Sequence, residues 1–137
     1  MAKLLLGKEV NASINEEIKA KVEKLNAEGI TPTLGIIRIG EREDDIAYER
    51  GATKRCETLG VAYEKFLLPA DVKEEEVLQT IEEVNKNDKI HGVLLFRPLP
   101  KHLNEDKIVN ALAVEKDVDG ITDLSMAGVF MGKDMGY

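Results

Sequence analysis

Apolar residues recur along this chain at two alternating periods. Between residues 8 and 28, Val10, Ile14, Ile18, Val22 and Leu25 stand three or four positions apart, forming one stripe of an amphipathic helix that Gly29 closes as a C-cap. Thr33 to Ile39 is β-branched and apolar and predicts a parallel strand terminated by Gly40, with Arg38 directed towards an edge or a strand end. A second helix then runs to Leu59 and stops at Gly60. Its start carries Glu41, Glu43, Asp44 and Asp45, acids that suit the positive end of a helix dipole and are read as helix-start residues only. Tyr48, Ala52, Cys56 and Leu59 fall on one face, which is predicted to be buried. Gly51 within this helix costs about 1 kcal/mol against alanine, so a close approach to the backbone is expected there.

Val61 to Leu68 alternates loosely as a further strand ending at Pro69. Asp71 and Glu74 form a capping pair for a helix to about Asn87, with Leu78, Ile81 and Val84 as its buried stripe. Val93 to Phe96 is an unbroken apolar run, read as the central strand, covered on both faces. Pro98 and Pro100 follow, so the chain leaves the sheet in a stiff extended loop. Asn104 caps a short helix carrying Ile108, Ala111 and Leu112, and Lys116-Asp-Val-Asp-Gly120 comes next. Residues 3 to 6 read as a short first strand or an arm packing on the body, and Ile121 to Tyr137 shows no clear period. The alternation predicts a three-layer α/β/α domain with a mostly parallel sheet of three or four strands.

Composition narrows the function classes. The 137 residues are 43% hydrophobic and 33% charged, as in a globular domain with its own core. Nineteen basic against 26 acidic residues leave a net charge of −7, with no Lys/Arg stripe interleaved with aromatics, which argues against a nucleic-acid partner. No apolar run has membrane-span length and no secretory architecture precedes the first helix, so a cytoplasmic protein is expected. Cys56 is alone and His91 and His102 lack ligand spacing, so no metal is expected. The chain stops at Met135-Gly-Tyr137 with neither a capped helix nor a finished strand, which reads as a cut inside a longer protein.

In open α/β sheets, ligands occupy the crevice at the carboxyl ends of the strands. Three segments converge there: the helix after Gly40, the Pro98-Leu99-Pro100 loop and Lys116 to Gly120. The loop is either a pocket wall or simply a stiff exit. Asp119 can accept hydrogen bonds from the N–H groups of an amino-heterocycle, while Asp117 and Asp119 can equally serve a turn and a surface ion pair with Lys116. Gly120 allows a sharp turn or close approach to a ligand. Tyr48 offers a phenol, although a tyrosine on a buried helix face is more often packing.

Four collinear segments carry a resemblance: Thr33 to Gly40; Tyr48 leading into Lys54-Arg-Cys-Glu-Thr-Leu-Gly60; His91-Gly-Val-Leu-Leu-Phe-Arg-Pro-Leu-Pro-Lys-His102; and Glu115 to Gly120. Together they resemble the N-terminal domain of the bifunctional methylenetetrahydrofolate dehydrogenase/methenyltetrahydrofolate cyclohydrolase family. The resemblance implies that residues 1–137 are the folate-binding catalytic domain. A following Rossmann domain, absent from this chain, binds NADP or NAD, and the intact protein is a homodimer. It also implies oxidation of 5,10-methylenetetrahydrofolate to the 5,10-methenyl cation, then hydration to 10-formyltetrahydrofolate. The family's pocket tyrosine falls on Tyr48, its pterin-binding aspartate on Asp119 beside Gly120, and its pocket loop on Pro98, Leu99 and Pro100.

Two positions depart from the family pattern. Its Tyr-x-x-x-Lys lysine is Ala52 here, and Lys54 lies about 200° round the helix from that position. Its glutamine before Pro-Leu-Pro is Phe96. Both are residues the family assigns to the hydrolytic step, so a dehydrogenase with weak or absent cyclohydrolase activity is expected. The rival readings are a folate binder without catalysis and a signalling α/β domain resembling a response-regulator receiver. The receiver is disfavoured because the strand ends carry Gly40, Pro69 and Pro98 where it needs aspartates.

Overall fold

A computed structural model describes residues 6–136, and the strand or arm expected at residues 3 to 6 lies outside it apart from Leu6, the extended residue preceding the first helix. The described chain runs α1 (Gly7–Ala27), β1 (Thr33–Ile39), α2 (Glu43–Leu59), β2 (Ala62–Leu68), α3 (Glu74–Lys86), β3 (Gly92–Leu95), α4 (Glu105–Asn110), a 3-10 turn (Val114–Lys116) and α5 (Asp123–Met131). The three strands form one parallel sheet in the order β2-β1-β3.

The central strand is therefore β1, which corrects the expectation for Val93 to Phe96. The mistake has a physical origin. β3 sits at the edge of the sheet, yet Gly92, Val93 and Leu95 are buried and Leu94 partly so. The segment after the 3-10 turn closes its outer side through a parallel bridge between Val93 and Asp117. An edge strand shielded in this way has the apolar run of a central one. Gly92 makes the crossing possible, since a Cβ there would stand 2.5 Å from Val118 Cγ1.

Alternation along the strands assigns the layers. Ile37 and Ile39 of β1, with Val93 and Leu95 of β3, join Val77, Ile81 and Val84 of α3 and Ile108 and Val109 of α4 in one core cluster. On the opposite face, Ile36 and Arg38 of β1 look towards α2, where Cys56 and Leu59 are buried. Leu94 pairs with Ile36 and shares that parity, so Phe96, two residues on, also projects to the α2 side.

Several local expectations need correction. The buried face of α2 is Asp45, Glu49, Thr53, Cys56 and Leu59, and Tyr48 is 60% exposed. Asp71 and Glu74 do not cap α3, whose N-cap is Lys73 without a side-chain bond. Glu74 instead accepts hydrogen bonds from the Asn104 amide at 3.1 Å and Lys107 Nζ at 2.6 Å, tying α3 to α4. Of the α1 stripe only Val22 is buried, and Val10 and Ile14 are exposed. Arg38 is buried within the central strand. Ile121 onward contains α5, capped by the Thr122 hydroxyl, which accepts from the Ser125 amide. Asn104 caps α4 as expected, accepting from the Lys107 amide.

Gly51 is exposed, and nothing lies within 4 Å of the Cβ it lacks, so the expected close approach is not there. Gly51→Ala should therefore stabilise the domain by about 0.5–1 kcal/mol, read as a higher urea midpoint with an unchanged slope.

Candidate functional site: a crevice at the carboxyl ends of β1 and β3

The site is built from the turn of α2 that follows β1, from the end of β3 and its exit, and from the turn at 117–120. Asp45 and Tyr48 of α2, Leu94 and Leu95 of β3, Phe96, Arg97 and Asp119 line a crevice of about 240 Å³. The Phe96 ring meets Tyr48 edge to face, with centroids 5.3 Å apart and planes at 89°. The strand parity described above sends Phe96 to this contact, and its amide still donates to the Ile37 carbonyl at 3.1 Å.

The orientation of α2 is fixed from beneath. Glu49, buried between helix and sheet, accepts from Arg38 Nε at 2.6 Å and from Lys65 Nζ at 2.8 Å, so one carboxylate joins β1, α2 and β2. Arg38 also donates to the Gly40 carbonyl. Burial pushes the Glu49 carboxyl up, but the hydrogen bonds and charges of Lys65 and Arg38 outweigh it and hold the group below the ordinary carboxylate value. With Glu49 held against the sheet, the 100° step of the helix places Asp45, Ala52 and Tyr48 within about 60° of one another on its crevice side.

The two acids of Lys116-Asp-Val-Asp-Gly120 separate in role. Asp117 is fully buried and accepts from the Ile121 amide at 3.0 Å, the Thr122 amide at 2.8 Å and the Ser125 hydroxyl at 2.7 Å. Burial raises its pKa, but those donors outweigh the penalty and hold the carboxyl below its ordinary value of 3.8. Lys116 forms no surface ion pair with either acid; its ammonium donates to the Val84 and Asn87 carbonyls at the end of α3. Gly120, at φ 65°, turns the chain so that Asp119 is exposed and faces the crevice.

Of the residues read as site candidates, Tyr48, Phe96 and Asp119 come together in the crevice. Gly120 lines a neighbouring hollow with Asp119, Val118 and the exposed Met126, Val129 and Phe130 of α5. Ala52 is half-buried, one turn beyond Tyr48, and is not among the lining residues. Pro98, Leu99 and Pro100 do not line the crevice either. Leu99 turns into the core cluster, and its amide donates to Glu105 at 2.7 Å. Arg97 takes the place on the wall that the loop was expected to occupy. Asp45, expected only to start the helix because an acid in the first turn usually needs no further explanation, is buried and lines the crevice. Among the described residues no group of three His, Cys, Asp or Glu side chains could hold a metal ion, and no helix is long and apolar enough to cross a membrane.

A parallel α/β sheet with its crevice at the strand carboxyl ends, bordered by one acid from the first βα turn and another from a glycine turn, defines a small-molecule-binding domain of the open-sheet class. Comparison with known proteins gives its family. The profile of the tetrahydrofolate dehydrogenase/cyclohydrolase catalytic domain matches residues 5–119, and the chain belongs to that family. The bifunctional protein FolD of Carboxydothermus hydrogenoformans is 48% identical over all 137 residues, which span 48% of that protein. The crystal structure of the bifunctional FolD methylenetetrahydrofolate dehydrogenase/cyclohydrolase from Campylobacter jejuni superposes with a TM-score of 0.91 at 31% identity, covering 96% of this chain and 46% of that one. The methylenetetrahydrofolate dehydrogenase-cyclohydrolase of Trypanosoma brucei, solved with NADP cofactor and an inhibitor, gives 0.85 at 25% identity, covering 93% and 44%. The chain thus spans about half the length of the relatives it matches.

The Asp117 lock makes a test of the turn that carries Asp119. Asp117→Asn keeps the shape but turns an amide donor towards a site of three donors, and should cost about 1–3 kcal/mol. Because the folded pKa is depressed, the carboxylate's contribution is complete above the unfolded value and is lost as pH falls through the folded one. The difference between wild type and variant in urea unfolding should therefore be flat from about pH 5 to 8 and shrink below about pH 4.

Proposed function

We propose that this chain is the folate-binding domain of an enzyme that oxidises 5,10-methylenetetrahydrofolate to 5,10-methenyltetrahydrofolate with NADP or NAD, and that hydrates the product weakly or not at all. The observation that carries the second half of this reading is the contact of Phe96 with Tyr48. In the family resemblance, a glutamine at position 96 and a lysine at position 52 serve the water step. Here a ring packs against the tyrosine, and a methyl group stands one turn away. Neither group can donate, accept or move a proton. Oxidation asks less of this domain, which has to bind the pterin and present its bridging carbon.

In the reaction a C–H bond of the bridging methylene breaks and its electron pair leaves with the hydrogen as hydride to the oxidised nicotinamide. The N–C–N unit is left with one positive charge. The cofactor supplies the hydride acceptor, and this chain is not suited to hold it. β1 is followed by Gly40-Glu41-Arg42, and no glycine-rich phosphate-binding turn follows any of the described strands. We assign cofactor binding to a Rossmann domain elsewhere in the intact protein. The NADP complex of the Trypanosoma brucei relative supports that assignment, as does the apolar run left exposed on α5, where Phe130 is 93% exposed. Asp119 is the pterin's hydrogen-bonding partner in this reading, Tyr48 positions the ring, and Phe96 closes the crevice wall. A homodimeric, cytoplasmic enzyme completes the proposal.

Full-length protein should reduce NADP or NAD with methylenetetrahydrofolate while converting methenyltetrahydrofolate to the formyl product little or no faster than solvent does. The Ala52→Lys/Phe96→Gln double variant should raise that hydration by about tenfold or more, the scale of a restored acid–base group. Rapid hydration by wild type would contradict the proposal.

A further inference from the structure

Asp45 is a crevice residue that the reading above does not use. Three acids open α2, and all three suit the helix dipole. Glu43 and Asp44 achieve this while exposed, whereas Asp45 is 8% exposed and lies in the crevice wall one turn before Tyr48. Its carboxylate forms no hydrogen bond or ion pair with another described side chain, and the α2 N-cap draws no side-chain bond. An acid placed for the dipole alone has no need to turn into a crevice wall, and Asp45 lines one. The other charges on the wall are Asp119 from the glycine turn and Arg97 from the β3 exit, both exposed, so the crevice presents two carboxylates against one guanidinium.

We infer that Asp45 is the counter-ion for a cationic folate, and that it makes the site prefer the positively charged 5,10-methenyl form over a neutral tetrahydrofolate. The inference rests on the folate reading and deepens it. The helix face that carries a lysine one turn after Tyr48 in the family pattern carries Ala52 there and an acid one turn before Tyr48 here. This face of α2 therefore presents the ligand with a negative charge and lacks the lysine's positive one. A carboxylate fixed in the crevice wall lowers the energy of the positive charge that oxidation leaves on the N–C–N unit, and does little for a neutral ring.

The test compares two ligands that share the pterin and glutamate parts and differ in ring charge. Full-length wild type, Asp45→Asn, Asp45→Ser and Asp45→Glu are titrated with 5,10-methenyltetrahydrofolate and with tetrahydrofolate by stopped-flow fluorescence, faster than solvent hydrolysis. Either neutral variant should weaken methenyltetrahydrofolate binding by about tenfold or more while changing tetrahydrofolate binding by less than about threefold, and Asp45→Glu should recover most of the loss. A ratio of the two affinities within about twofold of wild type in a folded neutral variant overturns the inference. Wild type that binds neither ligand overturns the folate reading as well, whereas wild type that binds both, with the ratio unmoved in the variants, overturns this inference alone.

Discussion

The crevice depends on one buried carboxylate. Glu49 is held by Arg38 from the central strand and Lys65 from its neighbour, so the rotation of α2 about its axis is fixed at the sheet. Everything α2 offers a ligand follows from that rotation: Asp45 and Tyr48 reach the crevice, Ala52 follows one turn later, and Lys54 is carried to the far side. A buried ion pair is weak grounds for stability, because desolvation offsets much of its Coulomb energy. Its value here is directional, since an apolar contact would tolerate rotations that a hydrogen-bonded triad does not.

The second constraint is parity. Leu94 pairs with Ile36, and the pleat then sends Phe96 to the α2 side, where it meets Tyr48. Asp117 anchors the opposite wall from inside, three donors holding it so that Asp119 can face outward. Neighbouring acids in one short motif thus divide the work, one holding the turn and the other facing the crevice. In the proposed function Ala52 and Phe96 stand where the family pattern has a lysine and a glutamine that serve the water step, and Asp45 places a carboxylate on the same crevice wall as Phe96. On the proposed reading, these three residues together favour a site that forms and holds a cation over one that hydrolyses it.

Much of the fold could be read from periodicity. The strands β1 and β2 and the helices α2, α3 and α4 lie where the apolar spacing places them, because each buries one stripe or one face. The misreadings share a cause, which is that spacing reports burial without saying what does the burying. β3 looks central because a non-strand segment covers its edge. Spacing puts Tyr48 on the buried stripe, which runs instead through Asp45, Glu49 and Thr53, polar residues that the triad and the crevice make tolerable. α5 leaves no mark in the periodicity because its apolar residues lie all round, with Leu124, Val129 and Phe130 exposed. The site was legible in its types, a tyrosine, an aspartate and a phenylalanine out of pattern. Asp45 was not, since only the structure distinguishes a buried helix-start acid from a solvated one.

The central claim is that this crevice holds the pterin through Asp119, and binding measures it most directly. Isothermal titration of tetrahydrofolate into the full-length protein and into its Asp119→Ala variant should show binding to the first and an affinity at least about tenfold weaker in the second, with equal melting temperatures. Equal affinities, or no binding to the wild type, would contradict the account.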